Sequence, residues 1–131
     1  MAEHPNVELS RRGYEAFSTG DMATLTELIA EHAVWHIGGR NDISGDYKGR
    51  EQIFGLFGEI AQRSEGTFQL TVHDIIANDD HTVTLTHMTA GGSSGKSVST
   101  NTADTAHIKN GQLVEFWSFV EDPYALDEYF S

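Results

Sequence analysis

One ionisable residue continues an apolar stripe in the second half of the chain. In residues 82–90, His87 falls on the same face as Val83 and Leu85, because successive side chains of a strand point to opposite faces. An imidazole titrates near neutral pH, so an inward-facing His87 would suit proton transfer in a pocket. The same position is typical of a histidine at the edge of the core, satisfied by a backbone carbonyl. Both interpretations of His87, catalytic and structural, follow from this pattern.

A carboxyl group occupies a similar position in the next strand-like segment. In residues 98–109, Asp104 shares a face with Ala106 and Ile108, where a surface strand would carry polar neighbours. Burial penalises the charged form of a carboxyl group, so we predict a raised pKa for Asp104. Such a group could orient or stabilise a ligand oxygen, or it could pair structurally with a neighbouring threonine or histidine. Asp104 and His87 are expected about 13 Å apart along the strands, at different ends of a ligand.

The remaining histidines give weaker signals. His36 is the third candidate for acid–base chemistry, although alternation puts it opposite Trp35 and Ile37 and therefore away from a core that contains them. His32 and His36 lie four residues apart, but Glu31 precedes His32, so the His-Glu-x-x-His pattern of zinc enzymes is missing. We expect no metal site, and no cofactor is indicated.

The periodicity of the chain predicts helices first and strands afterwards. Apolar residues recur at helical spacing in three early segments, and alternation with period two dominates later. The predicted helices are residues 7–17, 22–29, 50–61 and 124–130, and the predicted strands are 33–37, 68–77, 82–90, 98–109 and 112–120. Residues 40–48 are predicted to form a loop. Short turns between the late strands favour antiparallel pairing, which gives an α+β fold.

Charge and composition exclude several classes of function. The chain has 131 residues with a formal net charge of −12, which opposes binding to nucleic acid or to an anionic membrane surface. It contains no cysteine and no apolar run long enough to span a membrane. Its first residues lack the features of a signal peptide. We therefore expect one domain over residues 1–131 in a cytoplasmic protein.

Several short sequence motifs resemble those of the nuclear transport factor 2-like superfamily, and within it the SnoaL-like and ketosteroid-isomerase-like branch. These motifs are YEAF at 14–17 followed by Gly20-Asp21, AVWH at 33–36, GDYKGRE at 45–51, and GQLVEFWSF at 111–119 followed by Asp122-Pro123. The resemblance implies a cone-shaped, curved antiparallel sheet packed against three N-terminal helices, with a short C-terminal helix. It also implies an apolar pocket on the concave side and a homodimer.

The resemblance implies that only part of the isomerase site is present in this sequence. Asp104 corresponds to a pocket aspartate that is kept protonated to hydrogen-bond an oxyanion. The position of the general base in the isomerases corresponds to about Ile37 in this chain. The pocket tyrosine of the isomerases lies one residue further from the Gly-Asp turn than Tyr14 does. One residue turns a helix by about 100°, so we expect the Tyr14 hydroxyl to point elsewhere. Steroid isomerase activity is therefore disfavoured. Asp122 is interpreted as a helix cap rather than as an acid at the pocket mouth.

The predicted pocket is small and hydrophobic. The residues expected to contact a ligand are Tyr14, Phe17, Trp35, Phe54, Phe57, Phe116 and Val120. The leading hypothesis is a cofactor-free acid–base enzyme of isomerase, cyclase, dehydratase or epoxide hydrolase type. We expect its ligand to be a flat apolar compound with one carbonyl or hydroxyl group, rather than a charged metabolite. A non-catalytic carrier or sensor and a dimeric protein-interaction module remain as alternatives.

The last strand also predicts an assembly. It carries apolar residues on both faces, with Val114, Phe116 and Val120 on one and Leu113, Trp117 and Phe119 on the other. Only one of these faces can line a pocket, and an exposed aromatic patch is unusual. We therefore expect a homodimer formed through the outer face of the sheet.

Overall fold

Four helices and six strands make up the fold in a computed structural model, which describes residues 3–131. In chain order these are α1 (Pro5–Thr19), α2 (Met22–Leu28), β1 (Ile29–Ile37), β2 (Gly45–Lys48), α3 (Arg50–Arg63), β3 (Gln69–Ala77), β4 (His81–Ala90), β5 (Val98–Lys109), β6 (Gln112–Val120) and α4 (Pro123–Tyr129). The α+β prediction, with three N-terminal helices and a short C-terminal helix, is confirmed.

Local signals account for most of the helix ends. Gly20 ends α1 in the left-handed region at φ 71°, and its N–H group reaches the carbonyl groups of Ala16 and Phe17. The Asp21 side chain accepts a hydrogen bond from the Thr24 N–H group and so begins α2. The Asp122 side chain accepts a hydrogen bond from the Ala125 N–H group, which confirms the predicted cap of α4.

The six strands form one curved, unclosed sheet in the order β2-β1-β6-β5-β4-β3. All neighbours pair antiparallel except β1 and β6, which run parallel. The sheet is thus mixed rather than wholly antiparallel as predicted. The short turns that indicated antiparallel pairing connect only β3 to β6, whereas no turn fixes the direction of β1 against β6.

The segment predicted as a loop contains a strand. Gly45–Lys48 pairs with β1, where Tyr47 lies opposite Trp35. This strand is short, forms an edge of the sheet and buries only part of Tyr47, so it lacks the apolar alternation that identifies a strand in sequence. The first strand is also longer than predicted, since it begins at Ile29 rather than at Ala33.

The inner face of β4 carries threonines rather than the apolar stripe. Thr82, Thr84 and Thr86 are buried, whereas His87 is exposed on the opposite face. The prediction that His87 faces the pocket is therefore wrong. Two of these buried hydroxyl groups have hydrogen-bond partners: Thr84 bonds to Ser10 at 2.7 Å, and Thr86 bonds to the Thr102 hydroxyl.

A β-bulge changes which residues of β6 face inward. His107 pairs with Glu115 but Ile108 pairs with Leu113, so Val114 is the extra residue. Leu113 consequently packs against the core together with Phe116 and Val120. The predicted assignment of Val114 to the inner face and Leu113 to the outer face is therefore wrong.

The main hydrophobic core lies between the helices and the concave face of the sheet. Its fully buried members include Ile53 and Leu56 of α3, and Phe130 after α4. No helix within residues 3–131 is long and apolar enough to cross a lipid bilayer.

Candidate functional site

A cavity of about 350 Å³ lies between the helices and the inner face of the sheet. This volume is near the lower end of the range for small-molecule sites. Six of the seven residues predicted to contact a ligand line it: Tyr14, Phe17, Trp35, Phe57, Phe116 and Val120. The seventh, Phe54, packs its ring against Phe57 at a centroid distance of 6.1 Å instead.

Aromatic rings form one wall of the cavity. The parallel pairing of β1 with β6 sets Trp35 opposite Phe116, and their rings stack at 4.6 Å with an interplanar angle of 15°. From the helical layer, Phe57 meets the edge of Phe17 at 5.1 Å and that of Trp35 at 6.1 Å. The packing fixes the orientation of these rings, so the wall is formed before any ligand binds.

Beside the aromatic wall, a polar row crosses three strands of the sheet. Thr84 of β4 lies opposite Asp104 of β5, which lies opposite Ser118 of β6. All three side chains line the cavity. Ile37 of β1 lies opposite Ser118 and continues the row with an apolar side chain. In the isomerases that the sequence resembles, this position corresponds to the general base.

Asp104 is the centre of this row, and both of its carboxyl oxygens are hydrogen-bonded. The Tyr14 hydroxyl donates to Oδ2 at 2.5 Å, and the Ser118 hydroxyl donates to Oδ1 at 2.7 Å. The Asp104 side chain is buried, with the residue only 3% exposed. The inward position predicted for Asp104 is thus present in the structure.

The Tyr14 hydroxyl points toward Asp104, contrary to the sequence expectation that it is directed elsewhere. Ser10 and Tyr14 are four residues apart on α1 and so lie on one face of the helix. That face is turned to the sheet, where Ser10 bonds to Thr84 and Tyr14 bonds to Asp104. The one-residue offset from the isomerase pattern therefore does not turn Tyr14 away from Asp104.

Burial and hydrogen bonding act in opposite directions on the pKa of Asp104. Desolvation raises the pKa of Asp104, and hydrogen bonds from Tyr14, Ser118 and Thr102 partly offset that rise. Burial, followed by the nearby Asp104 charge, raises the pKa of Tyr14 well above its ordinary value. The phenol therefore keeps its proton, and Asp104 is the group of the pair that can change its protonation state.

The two histidines proposed as catalytic lie outside the cavity. The ring of His87 is hydrogen-bonded to Asn101 at 2.8 Å and to Ser99 at 3.0 Å on the outer face. The ring of His36 lies between Asp46 at 2.7 Å and Glu115 at 2.6 Å, also on that face. The hydrogen bonds that Glu115 and Asp46 accept from the ring, the one to Glu115 having the larger effect, raise the pKa of His36.

Four cavity-lining serine and threonine residues were not predicted from the sequence: Ser10, Thr82, Thr84 and Ser118. One of them, Ser118, could have been recognised from the sequence, because it is a small polar residue between the inward-facing Phe116 and Val120. Within residues 3–131, no group of three or more His, Asp or Glu side chains is arranged to hold a metal ion.

Comparisons with known proteins agree with this architecture. Residues 10–116 match the family model described as a SnoaL-like domain. The solved structure of Bal32a, from a soil-derived mobile gene cassette, is 39% identical, covers 96% of each chain and superposes with a TM-score of 0.92. An uncharacterised protein of Mycobacterium tuberculosis, Rv0034, is 24% identical over the full length of both chains. The fold of IdmH, a candidate polyketide cyclase from Streptomyces antibioticus, superposes with a TM-score of 0.76 at 24% identity, covering 94% of this chain and 96% of IdmH.

Proposed function

Because the chain belongs to the SnoaL-like family, whose fold occurs in ligand-binding and cyclase-type proteins, we propose that it acts on a small apolar molecule in this cavity. The main support for this proposal is Asp104, a buried carboxyl group on the cavity wall that accepts hydrogen bonds from Tyr14 and Ser118. The proposed activity is cofactor-independent acid–base chemistry, of the isomerase, cyclase, dehydratase or epoxide hydrolase type.

The chemistry needs only one titrating group. Ionised Asp104 accepts a proton from the ligand, and the resulting carboxylic acid returns that proton to another atom of the same molecule. An isomerisation or cyclisation by this exchange consumes no co-reactant, whereas a dehydratase would also release one water molecule and an epoxide hydrolase would consume one. The raised pKa of Asp104 supports this role because a general base works best when its pKa lies near the working pH. Tyr14 and Ser118 hold the carboxyl group in one orientation during both transfers.

The cavity walls indicate a ligand that is largely apolar. Aromatic and aliphatic surface supplies affinity in proportion to the area buried, at roughly 25 cal/mol per Å². Anionic metabolites are disfavoured, because the net charge of −12 repels them. Among the described residues that line the cavity there is also no Lys, Arg or His to pair with an anion.

A carrier without catalytic activity is the second candidate. The observation that favours it is that each oxygen of Asp104 already accepts a hydrogen bond from the protein. Such an arrangement would orient a ligand equally well in a protein that only binds it.

Ligand binding can be followed through Trp35, which lines the cavity. The variant Trp117→Phe leaves Trp35 as the single tryptophan and keeps an aromatic ring beside His36. We expect cyclic ketones, lactones and aromatic polyketide fragments to change Trp35 emission and raise the melting temperature. Nucleotides and sugar phosphates should do neither. Consistent stabilisation by the phosphorylated compounds alone would contradict the proposal.

Two variants separate an enzyme from a carrier once a binding compound is known. Asp104→Asn keeps the shape of the site and removes the titrating group, and Tyr14→Phe removes one hydrogen bond. For an enzyme, we expect turnover to be lost in Asp104→Asn and lowered in Tyr14→Phe, with the affinity for a neutral compound kept. Binding without any turnover in the unaltered protein would favour the carrier. His87→Ala is the control, because His87 lies on the outer face.

A further inference from the structure

The carboxyl group in the cavity has no positive partner among the described residues. Every ion pair found within residues 3–131 lies elsewhere, and the partners of Asp104 are neutral hydroxyl groups, those of Tyr14, Ser118 and Thr102. Buried carboxylates are usually paired with a positive charge, because burial without one is costly. The folded protein therefore contains a desolvated acid for which a cation would be the complementary group.

The surroundings of Asp104 also favour a cation. Phe116, stacked on Trp35, lies on the inner face of β6 two residues before Ser118, the direct neighbour of Asp104. These rings provide apolar surface for the hydrocarbon part of a cationic ligand. The net charge of −12 adds a long-range field that attracts cations toward the protein.

We infer that the ligand of this cavity is a small apolar amine or imine whose nitrogen pairs with Asp104, while its hydrocarbon part contacts Trp35 and Phe116. The inference rests on the proposed function and specifies its ligand. It replaces the neutral carbonyl or hydroxyl compound expected from the sequence. When Asp104 is protonated, its proton moves to the neutral nitrogen, which gives a carboxylate and an ammonium or iminium ion. No other reactant takes part.

This pairing predicts how affinity depends on pH. An amine that is protonated in water needs Asp104 to be ionised, so its affinity should rise with pH through the Asp104 titration and fall only above the pKa of the amine. Tyr14, from α1, is the one other titratable side chain among the described lining residues. It keeps its proton in this range, because its pKa is raised. The lining residues from the other helices and from the strands are apolar or carry hydroxyl groups.

Three probes that differ in one substituent test the inference. Aminoindane, indanol and indane carboxylate share a bicyclic skeleton and carry a cation, a neutral group and an anion at the same carbon. We expect calorimetry near pH 7.5 to give an affinity for aminoindane about tenfold above that for indanol, since hydrogen bonds to charged groups are stronger than neutral ones. Indane carboxylate should bind weakest.

Variants and pH then assign the preference to Asp104. Asp104→Asn should remove the preference for aminoindane and leave the affinity for indanol within about twofold. Glu31→Gln is the matched control, since it removes one exposed negative charge outside the cavity. If Asp104→Asn does not fold, the pH dependence in the unaltered protein serves as the test, because only aminoindane should bind more tightly as pH rises.

The outcomes distinguish this inference from the proposed function. If indanol binds as tightly as aminoindane, or if Asp104→Asn keeps the preference, the amine is the wrong ligand class while the cavity still binds apolar molecules. If none of the three probes binds, both the proposed function and the inference fail.

Discussion

Asp104 contributes a pH dependence of its own to the stability of this protein. Its pKa is raised in the folded state, so between the unfolded-state pKa of about 3.9 and the folded-state value the folded protein binds more protons. The free energy of unfolding therefore decreases as pH rises through that interval. The decrease from this residue is about 1.4 kcal/mol for each unit by which the pKa is raised.

Replacing Asp104 by asparagine should remove this pH dependence. Near neutral pH we expect Asp104→Asn to be as stable as the unaltered protein or more stable, because no charge has to be buried. Urea unfolding of both proteins across the acidic to neutral range measures the difference. A large loss of stability in the variant at neutral pH would mean that the folded protein holds Asp104 ionised and paired.

Some of the individual site residues could be predicted from the sequence. Alternation alone indicated that Asp104 faces inward, because Ala106 and Ile108 follow it on the same face of the strand. Alternation failed for His87, because both faces of β4 are partly buried and the threonines of the inner face find hydrogen-bond partners. The bond from Tyr14 to Asp104 depends on how α1 is rotated against the sheet, which is a tertiary property with no local signal.

The side chain of His36 links the edge strand β2 to β6 through hydrogen bonds. Its ring bonds Asp46 of β2 and Glu115 of β6 and stacks on Trp117 at 5.1 Å, while His107 of β5 lies 3.6 Å from Glu115. Only a protonated ring can donate to both carboxylates. Because the pKa of His36 is raised, this stabilisation is complete below the unfolded-state pKa of about 6.5 and is lost as pH rises through the folded-state pKa.

We therefore expect His36→Gln to destabilise the protein more at low pH than at high pH. The loss at about pH 5.5 should be at most about 1 kcal/mol, since all three groups are partly exposed to solvent, and it should be smaller at about pH 8.5. Urea unfolding at the two pH values measures it. His87→Gln is the matched control, because the partners of His87 are neutral. An equal loss for His36→Gln at both pH values would show that its charge contributes nothing.

The loop between β1 and β2 requires glycine at one position but not at its neighbour. Gly39 has φ of 87°, and a Cβ atom there would collide with the Asp127 carboxylate, which accepts hydrogen bonds from the Arg40 N–H group and Asn41. Gly38 has open space around it and no positive φ. We expect Gly39→Ala to lose at least about 1–2 kcal/mol of stability and Gly38→Ala to change it little. Similar melting temperatures for the two variants would contradict this account.

Predictability from sequence also differs among the elements. The long helices follow from helical periodicity, and the strands β3 to β6 follow from alternation and from the short turns between them. The edge strand β2 was missed because it buries almost nothing, and the bulge at Val114 was missed because alternation assumes an unbroken ladder. The parallel pairing of β1 with β6 joins segments far apart in the chain, so no short pattern encodes it.

At the scale of the whole molecule, we propose that two copies associate through the outer face of the sheet. Phe119 is 59% exposed there and follows the half-buried Trp117 closely, so an aromatic surface remains uncovered in one copy. Acidic Glu115 and the imidazole groups of His36 and His107 lie on the same face. A twofold axis brings the same surface of both copies together, so Glu115 of one copy can meet an imidazole group of the other.

Light scattering at micromolar concentration tests this assembly, and we expect the mass of a dimer. Phe119→Asp should shift the equilibrium toward the monomer, because a charge at the centre of an apolar contact would be buried without a partner. Tyr124→Asp is the matched control, since Tyr124 is also an exposed aromatic residue and lies on α4 rather than on a strand. A monomeric mass for the unaltered protein would contradict the dimer. A dimer that survives Phe119→Asp but dissociates in Tyr124→Asp would move the interface from the sheet to the side of the molecule that carries α4.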